Sequence, residues 1–585
     1  MKQFLITVLG VIVGGIVLLI LPFFLLGAIA SALSSSSSNT IIERNSVLIY
    51  DLGTPVQDLA TDDPIAQVNS ILLSGEAQRT IGLGTIKKSL LAAKDDDNIR
   101  GILMKGTSSG ASYATMKEIM PYIKDFRESG KFVYFYDNNI EQSSLYLASA
   151  ADSVFVMPIG QVMIYGLTST HIYYKNAMEK FGIDMQVIRH GKYKSAVEPY
   201  ITDKMSDASR EQTQKYLNTI WGDIRKTIAE NRNVTETSID EYANALNFAD
   251  IESAVDNRFI DRAIYKDELL ALLKDQLGLN EDEDIKSVTI GEYGRQVTAD
   301  LNITDNKLSV IYAQGEINDG SQEGDLTNIY GEDLARTIRK ARQDKDTKAI
   351  VLRVNSPGGS VIASDIIWRE VKLAAETKPV VVSMGRYAAS GGYYISCAAN
   401  YIFAEPTTLT GSIGIFGTIP NVRKAANSLG FTFDNVKTNK EVEPSLYEPL
   451  SEGWKDYFYK EIESGYQTFI TRCANGRHTT TEHIDSIGQG RVWAGADAIE
   501  IGLVDEIGTL DNAIAYAAKL AELENGEYNI EELPIIDDSL KALMKRMGMD
   551  VKATIGKFIF GDTYDAIEKI KMIGDKPSIQ ARMEL

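Results

Sequence analysis

The stretch YAASGGYYISCAAN (387–400) sets Ser390 at the end of a small-residue turn, with two glycines and an apolar helical run behind it. That is how an exposed serine nucleophile is built, and a hydroxyl attacks efficiently only when a base takes its proton. No histidine lies near it in sequence; the chain has four, His171, His190, His478 and His483. The base must come from elsewhere in the chain.

Internal repetition shows where to look. SSLYLASAADSVFVMPIGQVMIYG (143–166) parallels GGYYISCAANYIFAEPTTLTGSIG (391–414) without a gap, at an offset of 248. Tyr146 then matches Tyr394, Phe155 matches Phe403, Pro158 matches Pro406 and Gly166 matches Gly414. SVLIYDLGTPV (46–56) similarly parallels LSVIYAQGEI (308–317), and ESAVDNRFID (252–261) parallels DAIEIGLVDEI (497–507). The chain reads as a duplicated unit with its seam in the acidic LNEDEDIKS (279–287).

Aligning the copies exposes a complementary loss. The counterpart of Ser390 is Gln142, so the first copy has no nucleophile there. The first copy continues into VIRHGKYKSAVEPY (187–200), where Lys194 follows Gln142 by 52 residues; the same step from Ser390 reaches Val442. One copy holds a serine without a lysine and the other a lysine without a serine, as if a Ser–Lys pair had been divided between fused halves. Lysine acts as a base only when neutral, so its pKa must fall from about 10.4 by roughly 3 units, which burial in a desolvated cleft can supply. Glu198 would oppose that shift if it faced the amine. A Ser–His–Asp arrangement with His190 as base is the competing reading, although the counterpart of His190 is Thr438 and no aspartate is indicated.

Other parts gather in the second copy. VNSPGGSV (354–361) follows an apolar strand, and the N–H groups of Gly358 and Gly359, with that of Gly391, can form an oxyanion hole. Alone, Pro-Gly-Gly is a tight turn. The first copy has KGTSSGAS there and has lost the Pro-Gly-Gly. In LTGSIGIFG (409–417), Ser412 stands where the first copy has Ile164; its hydroxyl can hold the lysine amine, or it is an ordinary turn serine.

These residues need a scaffold. Short apolar strands such as AIVLRV and PVVVSMG alternate with helical stretches such as IASDIIWREVKLAAE, the pattern of βα units around a buried parallel sheet. At 585 residues, with 44% hydrophobic and 24% charged residues, the chain is a folded protein of more than one domain. A net charge of −20 argues against a nucleic-acid partner, and two distant cysteines, Cys397 and Cys473, argue against a disulfide framework or zinc site. No cofactor is expected. Phe4 to Leu33 contains no charged residue, longer than the roughly 20 residues that cross a bilayer and than the about 7–15 of a cleaved signal peptide core. The expected organisation is a transmembrane anchor (1–33), a serine-rich tether (34–45), a first copy (46–282), a linker (283–306), a second copy (307–525) and a helical tail (526–585).

VNSPGGS, MGRYAASGGYY, TLTGSIGIFG, GKYKSAVEP and GRVWAGADAIEIGLVDEIG together resemble the signal peptide peptidase A (protease IV) family in its double-length bacterial form, over residues 46 to 525. The resemblance implies tandem Clp-protease/crotonase-like spiral ββα domains with Ser390 as nucleophile, Lys194 as general base and Ser412 in support. It also implies a homotetramer, tethered to the bacterial inner membrane with its catalytic body on the periplasmic face, that degrades remnant apolar signal peptides. A crotonase-like acyl-CoA enzyme and a non-enzymatic membrane scaffold remain as alternatives.

Overall fold

The computed structural model describes residues 42–60, 80–297, 302–322 and 327–534. The expected anchor (1–33), the tether up to residue 41 and the tail from residue 535 lie outside the described residues, among which no helix is long and apolar enough to cross a membrane.

Each copy is built on a sheet whose central strands are all parallel, with helices packed over it. In the first copy six strands run in the order Arg262–Ala263, Ser153–Val156, Phe132–Asp137, Ile99–Lys105, Ser46–Asp51, Ser287–Thr289. The second copy repeats the path with Glu506–Ile507, Tyr401–Ala404, Val380–Ala389, Thr347–Ser356, Lys307–Gln314 and Asn529–Leu533. Both have near-continuous apolar strands because both faces are covered. The offset of 248 is kept at the level of single residues. Helix Leu83–Asp95 buries Leu83, Ile86, Leu90 and Ala93, and helix Gly331–Gln343 buries their counterparts Gly331, Leu334, Ile338 and Ala341. That spacing is one face of an α-helix, preserved to pack on the same strands.

The copies are longer than the repeat in the sequence indicates. The segment expected as a linker contains strand Ser287–Thr289, which pairs in parallel with Ser46–Asp51, and helix Ile290–Gln296, which packs on the same sheet. The segment expected to begin a helical tail contains strand Asn529–Leu533, paired in parallel with Lys307–Gln314. Both are edge strands, with one partner each, and SVT and NIEEL are too short to carry a readable alternation.

Among the contacts that join the copies, two are extensive. An antiparallel ribbon pairs Asp184–Arg189 of the first with Phe416–Asn421 of the second, and the His190 N–H extends it by donating to the Ile415 carbonyl. A buried ionic cluster lies between the sheets. Arg353, on a central strand of the second copy, reaches Asp58 at 2.8 Å and Glu118 at 2.6 Å, and Lys87 lies 3.0 Å from the other Glu118 oxygen. The Arg353, Asp58 and Glu118 side chains are each at most 2% exposed. Charges so deep are tolerable only when paired and hydrogen-bonded; Asn355 and Ser383 satisfy the remaining polar atoms of Asp58 and Arg353. Replacing Arg353 by methionine should therefore lower the unfolding free energy by about 3–5 kcal/mol, since buried Asp58 loses its cation and Glu118 keeps only Lys87. Breaking the exposed Lys226–Glu230 pair with Lys226→Ala should change it by less than about 0.5 kcal/mol. Denaturant titration of the two variants compares them directly.

Candidate active site

The ribbon delivers the lysine. Five residues beyond its end at Arg189, Lys194 enters a pocket made by the second copy. Its Nζ stands 3.0 Å from Ser390 Oγ, 3.0 Å from Ser412 Oγ and 3.1 Å from the Ser412 carbonyl oxygen. The segment around it is fastened at several points. The Tyr193 N–H donates to the Gln489 carbonyl, Arg189 donates to the Lys194 carbonyl, and the Gln212 amide bridges the Tyr193 carbonyl, Ser195 Oγ and the Val492 N–H. Gln212 sits on the helix Asp207–Arg232, whose first turn is capped by Ser206.

The fit is close. A Cβ on Gly490 would lie 2.6 Å from Lys194 Cβ, and one on Gly414 would lie 3.3 Å from Lys194 Cδ. Only 4% of Lys194 is exposed, and burial pulls its pKa down to about 7. Glu198 does not counter this: its carboxylate accepts from the Ser206 hydroxyl and N–H and lies 3.7 Å from Arg189. The neighbouring Lys192 is exposed and lies over the Tyr193 ring.

Ser390 closes strand Val380–Ala389 and precedes helix Gly391–Ser396 with φ 56° and ψ −117°. A serine costs energy in that region, and such strain persists where the surroundings impose it. Here the Ser390 N–H donates to the Gly411 carbonyl, and the Gly358 Cα is packed so tightly that an added Cβ would lie 2.9 Å from Ser390 Cβ. The three glycines expected to donate divide into two kinds. The N–H of Gly358 is taken, donating to Ser356 Oγ at 3.1 Å, so this residue supplies only its left-handed backbone (φ 103°). Gly359 bridges Ile317 in parallel fashion: the Ile317 N–H donates to the Gly358 carbonyl and the Ser360 N–H to the Ile317 carbonyl. This leaves the Gly359 N–H outside that pairing, and its nitrogen would lie 3.2 Å from a Cβ on Gly391. Among the described residues neither the Gly359 nor the Gly391 N–H has an acceptor. Two free donors beside a strained serine can receive the oxygen of a carbonyl under attack.

His190 is elsewhere engaged. Its Nδ1 is 2.7 Å from Glu463, and its ring stacks on Tyr466 with centroids 3.7 Å apart. The counterpart positions of the first and second copies are filled differently. Gln142 is buried, accepting from the Tyr165 and Gly166 N–H groups and donating to the Tyr113 hydroxyl, while Val442 offers its carbonyl to the Trp454 indole. Ile164, opposite Ser412, is fully buried. Sequence reasoning missed the turn Gly488–Gly490 as the seat of Lys194. The signal was present as two glycines one residue apart just before strand Val492–Ala494.

The sequence profile of Peptidase family S49 matches residues 125–280 and 372–524, once in each copy, and that of Clp protease matches residues 325–409. Protease 4 of Salmonella typhi is 36% identical over 558 residues, covering 93% of this chain and 90% of that one. Protease 4 of Haemophilus influenzae is 34% identical, covering 85% and 82%. The chloroplastic serine protease SPPA of Arabidopsis thaliana is 31% identical, covering 87% and 74%. With two family domains in tandem and full-length relatives of this kind, the chain belongs to Peptidase family S49, the signal peptide peptidase A family in its double-length form, and is a serine peptidase.

Proposed function

We propose that this peptidase works by a Ser390–Lys194 dyad and cleaves apolar, extended peptides of the signal-peptide kind at a membrane surface. The observation that carries the dyad is the 3.0 Å approach of a buried lysine, with a pKa near 7, to a strained serine. Neutral Lys194 takes the Ser390 proton as Oγ attacks the scissile carbonyl, and the oxygen that becomes negative is held by the N–H groups of Gly359 and Gly391. The lysine then passes its proton to the leaving amine, giving an acyl-serine. Water attacks the ester with the same lysine as base, and Ser390 is released. Ser412 keeps the amine aimed at Ser390 through both steps.

Apolar substrates are favoured by the surroundings. Val361 and Ile362, directly after the glycine turn, are 43% and 69% exposed, and the Phe416 ring lies 5.9 Å from the lysine amine. The uncharged run from Phe4 to Leu33 supports a retained anchor in the inner membrane, with the catalytic body on the periplasmic side. Assembly into a homotetramer is supported by the repeat itself. The ribbon strands 184–189 and 416–421 have counterparts, at the same offset, in 432–437 and 168–173. These two segments have no strand partner among the described residues, and they expose Ile172 and Val436. Pairing one chain's 168–173 with the next chain's 432–437 would copy the internal ribbon head to tail, a heterologous contact that forms a ring where its rotation closes.

Four outcomes test this reading. Ser390→Ala and Lys194→Ala should each cut kcat/KM on an apolar peptide by about 10³-fold or more while keeping the fold. In wild type, hydrolysis should rise about tenfold per pH unit up to roughly pH 7 and then level off, because the free amine is the active form. Lys194→Arg should be as inactive as alanine, since a guanidinium stays charged at any working pH; an active arginine variant with an unchanged profile would leave Lys194 a mere substrate contact. Finally, Ile172→Lys with Val436→Lys should sediment as a monomer that still labels at Ser390 with a fluorophosphonate, because both dyad residues belong to one chain.

A further inference from the structure

The lysine is held by a turn that is itself strained. Gln489 has φ 53° and Gly490 φ 79°. A glutamine in the left-handed region is disfavoured and must be held there. The turn bears on Lys194 from three sides. The Gln489 carbonyl accepts from the Tyr193 N–H at 2.8 Å, the Gly490 N–H donates to the Ile413 carbonyl at 2.7 Å, and the bare Gly490 Cα lies against the Lys194 backbone. Two side chains grip the turn: Asp485, which accepts from the Gln489 side-chain amide, and Tyr466, a fully buried residue of helix Glu452–Gly476. Its Oη accepts from the Gln489 N–H at 3.2 Å and donates to Asp485 Oδ1 at 2.6 Å. His190 stacks on the ring and is tied by Nδ1 to Glu463 of the same helix.

We propose that Tyr466 is a positioning residue for Lys194: its hydroxyl locks the Gly488–Gly490 turn in the one conformation that keeps the amine against Ser390, and His190 with Glu463 braces the ring. This assigns His190 a part in the site other than that of base, and it rests on the dyad reading above. The tyrosine remains a protonated donor, because burial and then Asp485 push its pKa well above the ordinary value. The titratable groups around it are Asp485, Glu463 and His190, and no charged group is found to shift Lys194 itself.

The test is Tyr466→Phe, which keeps the ring and the His190 stack and removes only the oxygen. Hydrolysis of an apolar peptide should lose about 10- to 100-fold in kcat with KM changed less than about twofold, as misplacement of a reacting group does. The midpoint of the pH–rate profile should move up from the wild-type value, because a loosened turn lets water reach the amine. Adding Gln489→Gly, which removes the backbone strain together with the amide that donates to Asp485, should recover most of the lost kcat and return the midpoint. Asp485→Asn, with the tyrosine intact, should shift both quantities in the same direction by a smaller factor, and serves if Tyr466→Phe does not fold. Wild-type kcat and midpoint in Tyr466→Phe would overturn the proposal. So would a loss of kcat with an unmoved midpoint and no recovery by Gln489→Gly, which assigns Tyr466 to core packing alone. A Lys194→Ala enzyme as active as wild type would instead strike the dyad, and this inference with it, before Tyr466 is altered.

Discussion

An amine buried without a carboxylate is pushed toward its neutral form, which has two N–H groups and one lone pair to satisfy. Around Lys194 the Ser412 carbonyl and hydroxyl oxygens accept two N–H groups, and Ser390 Oγ lies 3.0 Å away on the remaining side. Three oxygens can accept from the three N–H groups of the ammonium, and loss of one proton leaves a lone pair facing Ser390, so the same pocket holds both forms. Depression of the pKa and orientation of the base are therefore one event, the enclosure of a single side chain. Much of what joins the copies serves that enclosure. The ribbon brings the lysine in, the turn at Gly490 closes behind it, and Gln212 spans the two.

Because the pocket is made by one copy and filled by the other, the joint between copies has to be rigid. Arg353 meets this need differently from an apolar contact. Its guanidinium lies in the central sheet of the second copy and is met by carboxylates from two elements of the first, Asp58 in the loop after Val56–Gln57 and Glu118 in helix Tyr113–Glu128. A slip between copies would leave these charges buried and unpaired, whereas an apolar face could slide with little change in area. Directional contacts of this sort fix register, and register is what a 3.0 Å contact between Lys194 and Ser390 demands.

The duplication made the site legible. Ser390 and Lys194 are 196 residues apart and neither is diagnostic alone; the offset of 248 turned their absence from opposite copies into a pairing, and the distance between them fits it. What stayed hidden depends on contacts with no local signature. YKSAVEPY is only half apolar, so the burial of Lys194 could not be read from its own neighbours; the enclosing groups, Ser412, Gly414 and Gly490, come from the other copy. The direction of an N–H is likewise invisible in sequence, which is why Gly358 looked equivalent to Gly359 until Ser356 was seen to accept from it. Arg353, in the apolar run AIVLRVNS, gave no hint of its partners, and the short edge strands fell outside the recognisable repeat.

The two copies also show what chemistry costs a fold. In the second, Ser390 and Ser412 hold φ of 56° and 51°, and the Gly359 and Gly391 N–H groups are left without acceptors. In the first, the helix that begins at Gln142 starts from an ordinary extended residue, Glu141 at φ −85°, and the Gln142 amide satisfies both N–H groups of Tyr165 and Gly166. An unfilled donor pair and a strained serine destabilise a domain unless turnover is selected for. The first copy carries neither cost: Gln142 replaces the strained serine, and the N–H of Ala111, the counterpart of Gly359, donates to the Ser109 hydroxyl. The core positions obey the opposite rule. Leu83, Ile86, Leu90 and Ala93 match Gly331, Leu334, Ile338 and Ala341 because both halves must still pack a helix on the same sheet. Divergence has thus followed the distinction between residues that only lower the energy of the fold and residues that raise it for the sake of the reaction.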